Sequence, residues 1–178
     1  MRKKILLIII LISFGSYSQE CDEKARIVFN NIISSISNNS IIEPRLKIED
    51  INGPASFYQG NITIDRELIN LFCDQKNFVD KISFVIAHEL AHHFLQHNWK
   101  YNSGLAYIHD SLMGEEINIQ DILESETQAD FYAGFYGKIS GYKTLEYAKE
   151  TITIIYKKYN IKKELIGYPS FEDRLNII

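Results

Sequence analysis

Phe84-Val85-Ile86-Ala87-His88-Glu89-Leu90-Ala91-His92 sets two histidines and a glutamate inside an apolar run. Ile82, Phe84, Val85, Ile86 and Ala87 precede its polar centre, and Ala91, Phe94 and Leu95 surround its end. A helix that is apolar nearly all round is a buried one. Buried imidazoles and a buried carboxylate need partners, and a metal ion supplies one. Two histidines four apart share one helix face, so both rings reach a single ion. The glutamate between them reaches a water beside it. H-E-x-x-H on a helix is the layout of a zinc hydrolase, above all of a metallopeptidase. Asn77 and Asp80 mark the expected start of this helix, which is expected to run to about His97.

A catalytic zinc site takes three protein ligands and keeps one position open. The third is sought downstream, in Glu124-Ser125-Glu126-Thr127-Gln128-Ala129-Asp130. Glu126 and Asp130 lie four apart on one face of a second expected helix. Ala129, Gly134 and Gly137 are small, so two helices can approach closely there. Glu126 is assigned as the third ligand. Asp130, one turn on, suits the role of accepting the second ring N–H of a ligand histidine and fixing its tautomer. Glu124 is the rival ligand, without a carboxylate partner at the same spacing.

HELAH followed 34 residues after His92 by ETQAD resembles the gluzincin metallopeptidases of the HtpX and CAAX-prenyl-protease family, whose pattern is HExxH and then ExxAD on a later helix. Tyr168-Pro169-Ser170-Phe171-Glu172-Asp173-Arg174-Leu175 resembles the late H-P-S-x-x-x-R-I segment of that family, with Tyr168 in place of the histidine. His97 falls where the family often has a histidine. The resemblance spans about residues 46–178. It implies a zincin-like α+β fold, mostly helical, with a small antiparallel sheet or hairpin beside the active-site helix. It also implies that Arg174 lies near the site, paired with Asp130 or Glu126 or touching substrate. Membrane members of the family carry several transmembrane helices, and this chain has none after its N-terminus. The likeness is therefore to a soluble, exported branch.

The function expected is that of a zinc-dependent metalloendopeptidase with one Zn²⁺ per chain and a peptide or protein substrate. Zinc lowers the pKa of bound water toward ~7, and Glu89 serves as general base. No other cofactor-binding residue is assigned. Two readings compete: a zinc module that binds a peptide without cutting it, and a regulatory metallopeptidase resembling the IrrE type. An intact Glu89 weighs against the first, export and the Ala129-Asp130 pair against the second.

Residues 1–18 read as a secretory signal. Arg2-Lys3-Lys4 is the basic region, Ile5 to Ile12 the apolar one, and Ser16-Tyr17-Ser18 sets cleavage before Gln19. The apolar run is short for a bilayer span. Residues 19–178 remain as a single domain of about 160 residues, exported to the periplasm or secreted. Losing Arg2, Lys3 and Lys4 takes the net charge from −4 to −7. Such a surface argues against nucleic acid, and against anionic membranes as a partner after cleavage. Cys21 and Cys73, the only cysteines, stand open between one disulfide and two separate thiols.

Along the rest of the chain, residues 22–38 have helical apolar spacing, ended by Asn38-Asn39-Ser40. Leu46 to Glu49 alternates like a strand. Ala55 to Ile64 reads as a hairpin turned by Gln59-Gly60-Asn61, open to either a structural or a peptide-holding role. Asp65 is placed as cap of a short helix through Leu71. Residues 100–120 are irregular and suit a loop over the cleft, where His109 is a possible oxyanion donor beside Tyr168. His93 and His97, four apart on a rotated face, are read as flanking residues or as supports behind the metal ligands rather than as a second metal site. A long helix from about Lys143 to Tyr159 packs one side on the core, and Ser170 caps a short terminal helix carrying Arg174.

Overall fold

The computed structural model describes residues 2–36, 43–97, 119–161 and 169–177. In chain order the elements are α1 (Arg2–Ile36), β1 (Arg45–Glu49), β2 (Ala55–Tyr58), β3 (Asn61–Asp65), α2 (Arg66–Cys73) and α3 (Phe78–Phe94). Then follow α4 (Ile119–Ile139), α5 (Thr144–Lys158) and α6 (Phe171–Ile177). The fold is α+β: mostly helical, with one small sheet.

α3 is the centre. Every residue from Lys81 to His93 is buried, because α1, α2, α4, α5 and the sheet all pack around it. That is why its sequence is apolar on every side rather than along one stripe. Burying side chains such as Ile82, Phe84, Ile86 and Leu90 is worth about 1.5–3 kcal/mol apiece. One helix therefore organises most of the core.

The hairpin of β2 and β3 turns through Gln59 and Gly60, whose φ angles of 46° and 78° belong to the two-residue turn that matches strand twist. Tyr58 pairs with Asn61 beside that turn. A third strand corrects the expected antiparallel sheet or lone hairpin. β1 joins β3 in parallel, from Arg45↔Asn61 to Glu49↔Asp65, giving the order β1-β3-β2 and a mixed sheet. The chain passes over β3 to lay β2 on its far side before returning. Leu46, Ile48, Phe57, Ile62 and Ile64 are all buried, so the alternation in β1 marks a strand packed on one face. Phe57 meets the His93 ring on α3 at 5.5 Å between centroids.

Cys21 on α1 and Cys73 on α2 form a disulfide, with Cα atoms 6.0 Å apart and a sequence separation of 52. A cross-link closing a loop of that length stabilises the fold by about 4 kcal/mol in the chain-entropy account. Arg66 reinforces the same corner by donating to Asp22 on α1 and to the Ile48 carbonyl on β1, at 2.7 Å each. Asp65 does not cap α2 with its side chain. Its carboxylate accepts instead from the Tyr159 hydroxyl at 2.5 Å and from the Ile51 N–H at 3.4 Å. Likewise Asn77 precedes α3 without a side-chain cap bond. Among the described residues no helix is long and apolar enough to cross a membrane. The Asn38-Asn39-Ser40 helix stop lies outside the described residues, as do the side chains of 2–18.

Gly134 and Gly137 serve the α4–α5 corner. A Cβ on Gly137 would stand 1.8 Å from Thr144 Oγ1, and one on Gly134 would stand 2.3 Å from Leu145 Cδ2. Thr144 is buried and its hydroxyl bonds Ser83 on α3 at 2.8 Å. Helix propensity alone would make Gly137→Ala stabilising by about 1 kcal/mol. Overpacking, at about 1–3 kcal/mol, and disturbance of a buried hydrogen bond, at about 1–3 kcal/mol, outweigh it. Gly137→Ala is expected to lower stability by about 2 kcal/mol in urea unfolding; a rise would show that Thr144 yields freely.

Candidate metal centre

α3 presents His88 and His92 one turn apart, and α4 presents Glu126 and Asp130 one turn apart. Ala129 and Ala133 on α4 have no exposed surface, and these small side chains sit in the core that α4 shares with α3. Across the seam, His88 Nε2 lies 3.5 Å from Glu126 Oε2, and His92 Nε2 lies 3.5 Å from Glu126 Oε1. The two Nε2 atoms are 3.2 Å apart. Ligand atoms held 2.0–2.1 Å from one tetrahedral ion lie about 3.3–3.4 Å from each other. The three residues, all buried, could therefore hold a metal ion.

His88 has its tautomer set from behind. Its Nδ1 lies 2.9 Å from Asp130 Oδ1, and a carboxylate only accepts, so Nδ1 carries a hydrogen and Nε2 is the nitrogen turned toward Glu126 and His92. Asp130 is itself clamped by Arg174, whose Nε and Nη2 donate to its two oxygens at 2.7 Å each. Arg174 is brought in by α6, whose first turn Ser170 caps. The Asp173 N–H donates to Ser170 Oγ at 3.1 Å, and the Ser170 hydroxyl donates to Asp173 at 2.7 Å. The first bond is an N-cap to the third helical residue, and the second ties the capping hydroxyl to the Asp173 carboxylate.

The electrostatics follow from burial and these contacts. Burial opposes charge on His88, but hydrogen bonds to Asp130 and Glu126 outweigh it and push its pKa up to about 10. Burial drives His92 the other way, down to about 3. Glu126 is drawn below the usual carboxylate range despite its burial, by the imidazoles of His92 and His88 and by Arg174. Asp130 is lowered, again against burial, chiefly by Arg174 and His88. Glu89 differs in kind. Burial raises it to about 7, and its Oε2 is a buried acceptor with no hydrogen-bond partner among the described residues. A buried polar atom left in this state is costly unless a further group satisfies it.

Of the sequence-assigned residues, His88, His92, Glu126, Asp130 and Arg174 form one connected cluster, with Glu89 buried on α3 between the two histidines. Glu124 stays outside it and accepts a hydrogen bond from Gln128 Nε2 at 3.0 Å. His93 faces the sheet through Phe57. His97 was expected to continue α3, yet the helix stops at Phe94, and His97 turns back to meet His92 and Gln128. Gln128 was overlooked; its only sequence signal is the four-residue spacing from Glu124. His109, Tyr168 and the 100–120 stretch as far as residue 118 lie outside the described residues. The last two residues of that stretch begin α4.

Comparison with protein-family models, curated proteins and solved structures finds no match to this chain. The site is therefore read from its own geometry. Arg174→Met is expected to leave the Asp130 carboxylate buried against His88 alone. Losing one partner of such a pair costs about 3–5 kcal/mol, measurable as a lower unfolding midpoint. An unchanged midpoint would show that the Asp130–Arg174 pair does not hold α6 in place.

Proposed function

We propose that this chain is a zinc-dependent metalloendopeptidase of a zincin-like fold, resembling the HtpX and CAAX-prenyl-protease gluzincins, and that it acts after export on peptide or protein substrates. The observation that carries the reading is the convergence of His88 Nε2, His92 Nε2 and the Glu126 oxygens at 3.2–3.5 Å, with a buried carboxylate at Glu89 that has one oxygen unpartnered among the described residues. The donor set of two imidazoles and one carboxylate suits zinc in a hydrolytic site with one open position.

A zinc ion bound there would act as a Lewis acid toward the scissile carbonyl and the attacking water. The protein supplies the rest. Glu89 takes a proton from the attacking water and returns it to the leaving amine. Its neighbours on α3 are the two metal-binding histidines, so its carboxylate reaches the reacting water without any helix movement. Asp130 and Arg174 hold His88 so that its lone pair faces the ion. The buried surroundings of the cluster keep competing water out and strengthen each of these contacts. The Cys21–Cys73 disulfide supports the export part of the proposal, since such bonds persist in oxidising compartments.

Two variants test the roles separately. Glu89→Gln is expected to keep its zinc and lose peptidase activity by 10²-fold or more, the range of general-base catalysis. A Glu89→Gln protein that cleaves a peptide library at the wild-type rate would sink the mechanism. Glu126→Ala is expected to lose zinc in elemental analysis; unchanged metal content would remove Glu126 from the ligand set.

A further inference from the structure

The end of α3 builds a second support, on the side of the site away from Asp130. Phe94 is the last helical residue and Leu95 caps it. Gln96 then takes a left-handed φ of 53°. The His97 N–H bonds the His92 carbonyl at 3.0 Å, and the Gln96 N–H bonds the His93 carbonyl at 3.2 Å. These are the paired bonds of a Schellman closure. Gln96 has no glycine freedom, so the left-handed conformation is a strained one for it. The reversal lays the His97 ring against the His92 ring, 5.0 Å between centroids, with their Nδ1 atoms 3.0 Å apart.

Two ring nitrogens at that distance share one hydrogen, and the neighbours decide who carries it. The Glu124 carboxylate accepts from Gln128 Nε2 at 3.0 Å, so the Gln128 amide turns its oxygen the other way. That oxygen lies 3.0 Å from His97 Nε2, and it only accepts. His97 therefore carries its hydrogen on Nε2 and offers a bare Nδ1. His92 must then donate from Nδ1, which leaves His92 Nε2 as a lone pair facing His88 Nε2 and Glu126. Free imidazole has both tautomers open to it; the other one would put a hydrogen where a metal must bind.

We propose that His97 and Gln128 are positioning residues, which lock His92 in the Nδ1–H tautomer and thereby set the metal affinity of the His88–His92–Glu126 site. This rests on the metal-site reading above. The relay is separate from the Asp130–Arg174 clamp on His88: it is neutral up to Glu124 and reaches His92 through a turn, where the other is ionic and reaches His88 through a helix.

The test is the zinc dissociation constant of the full chain, by competition with a chromophoric chelator, for wild type, Gln128→Leu, Gln128→Glu and His97→Ala. Long-range proton–nitrogen NMR of the metal-free proteins reports the His92 tautomer alongside. Gln128 is partly exposed, so its variants are expected to fold. Gln128→Leu and His97→Ala are expected to bind zinc 10–100-fold more weakly. Gln128→Glu keeps an acceptor toward His97 and is expected to stay within about threefold of wild type. Equal losses in both Gln128 variants, or wild-type affinity in Gln128→Leu and His97→Ala, would overturn the relay. Wild type without zinc affinity would instead overturn the metal site. In that event the NMR decides the relay alone: His92 protonated on Nδ1 in wild type and no longer so in Gln128→Leu supports it, and no difference overturns it.

Discussion

Burying charge on a central helix is the constraint that organises this molecule. α3 is enclosed from Lys81 to His93, yet it carries Lys81, His88, Glu89 and His92 inside that span. Each of these is costly to bury alone, and the surrounding elements answer them in turn. α5 supplies Glu150, 2.5 Å from Lys81, and the turn before α3 adds Gln75. α4 supplies Glu126 and Asp130 to the histidines, and α6 supplies Arg174 to Asp130. Helix packing and site construction are thus one problem. The side chains that need partners determine which helices must touch α3, and where. In this group the Glu89 Oε2 has no protein partner among the described residues, and that is the atom to which the proposed function gives a proton to carry.

The features legible in the sequence were those with local or periodic signatures. H-E-x-x-H inside an apolar run marked α3 and its burial. Glu126 and Asp130 declared themselves by their four-residue spacing, and Ser170 by its place before Asp173. Gln59-Gly60 marked the hairpin. What escaped reading was set by contacts between distant segments. The parallel pairing of β1 with β3 leaves no trace in the alternation of either strand. Asp65 had the composition and position of a helix cap, but Tyr159, far along the chain, provides its hydroxyl partner. The end of α3 was misplaced because a Schellman turn normally announces itself with glycine, and here Gln96 takes the left-handed position. The Cys21–Cys73 bridge needed the meeting of α1 and α2, which two cysteines in a sequence do not encode.

The two histidines that face each other across the proposed metal position are oriented by different routes. His88 is fixed by a charged clamp, a buried Asp130 held by a partly buried Arg174, that also ties α6 to the site. His92 is fixed by a short neutral relay at the end of its own helix. The first couples the site to global stability, so its loss is expected to be felt by the whole fold. The second touches only a turn and the outer side of α4, so its loss is expected to be felt mainly by the site. A centre built this way separates the requirement for a folded scaffold from the tuning of affinity.

Elemental analysis of the purified chain decides whether the cluster is a metal centre. About one zinc per chain is expected, retained through gel filtration and removed by a strong chelator. A chain that is folded, with its disulfide formed, and yet takes up no metal after incubation with zinc at neutral pH would contradict that assignment.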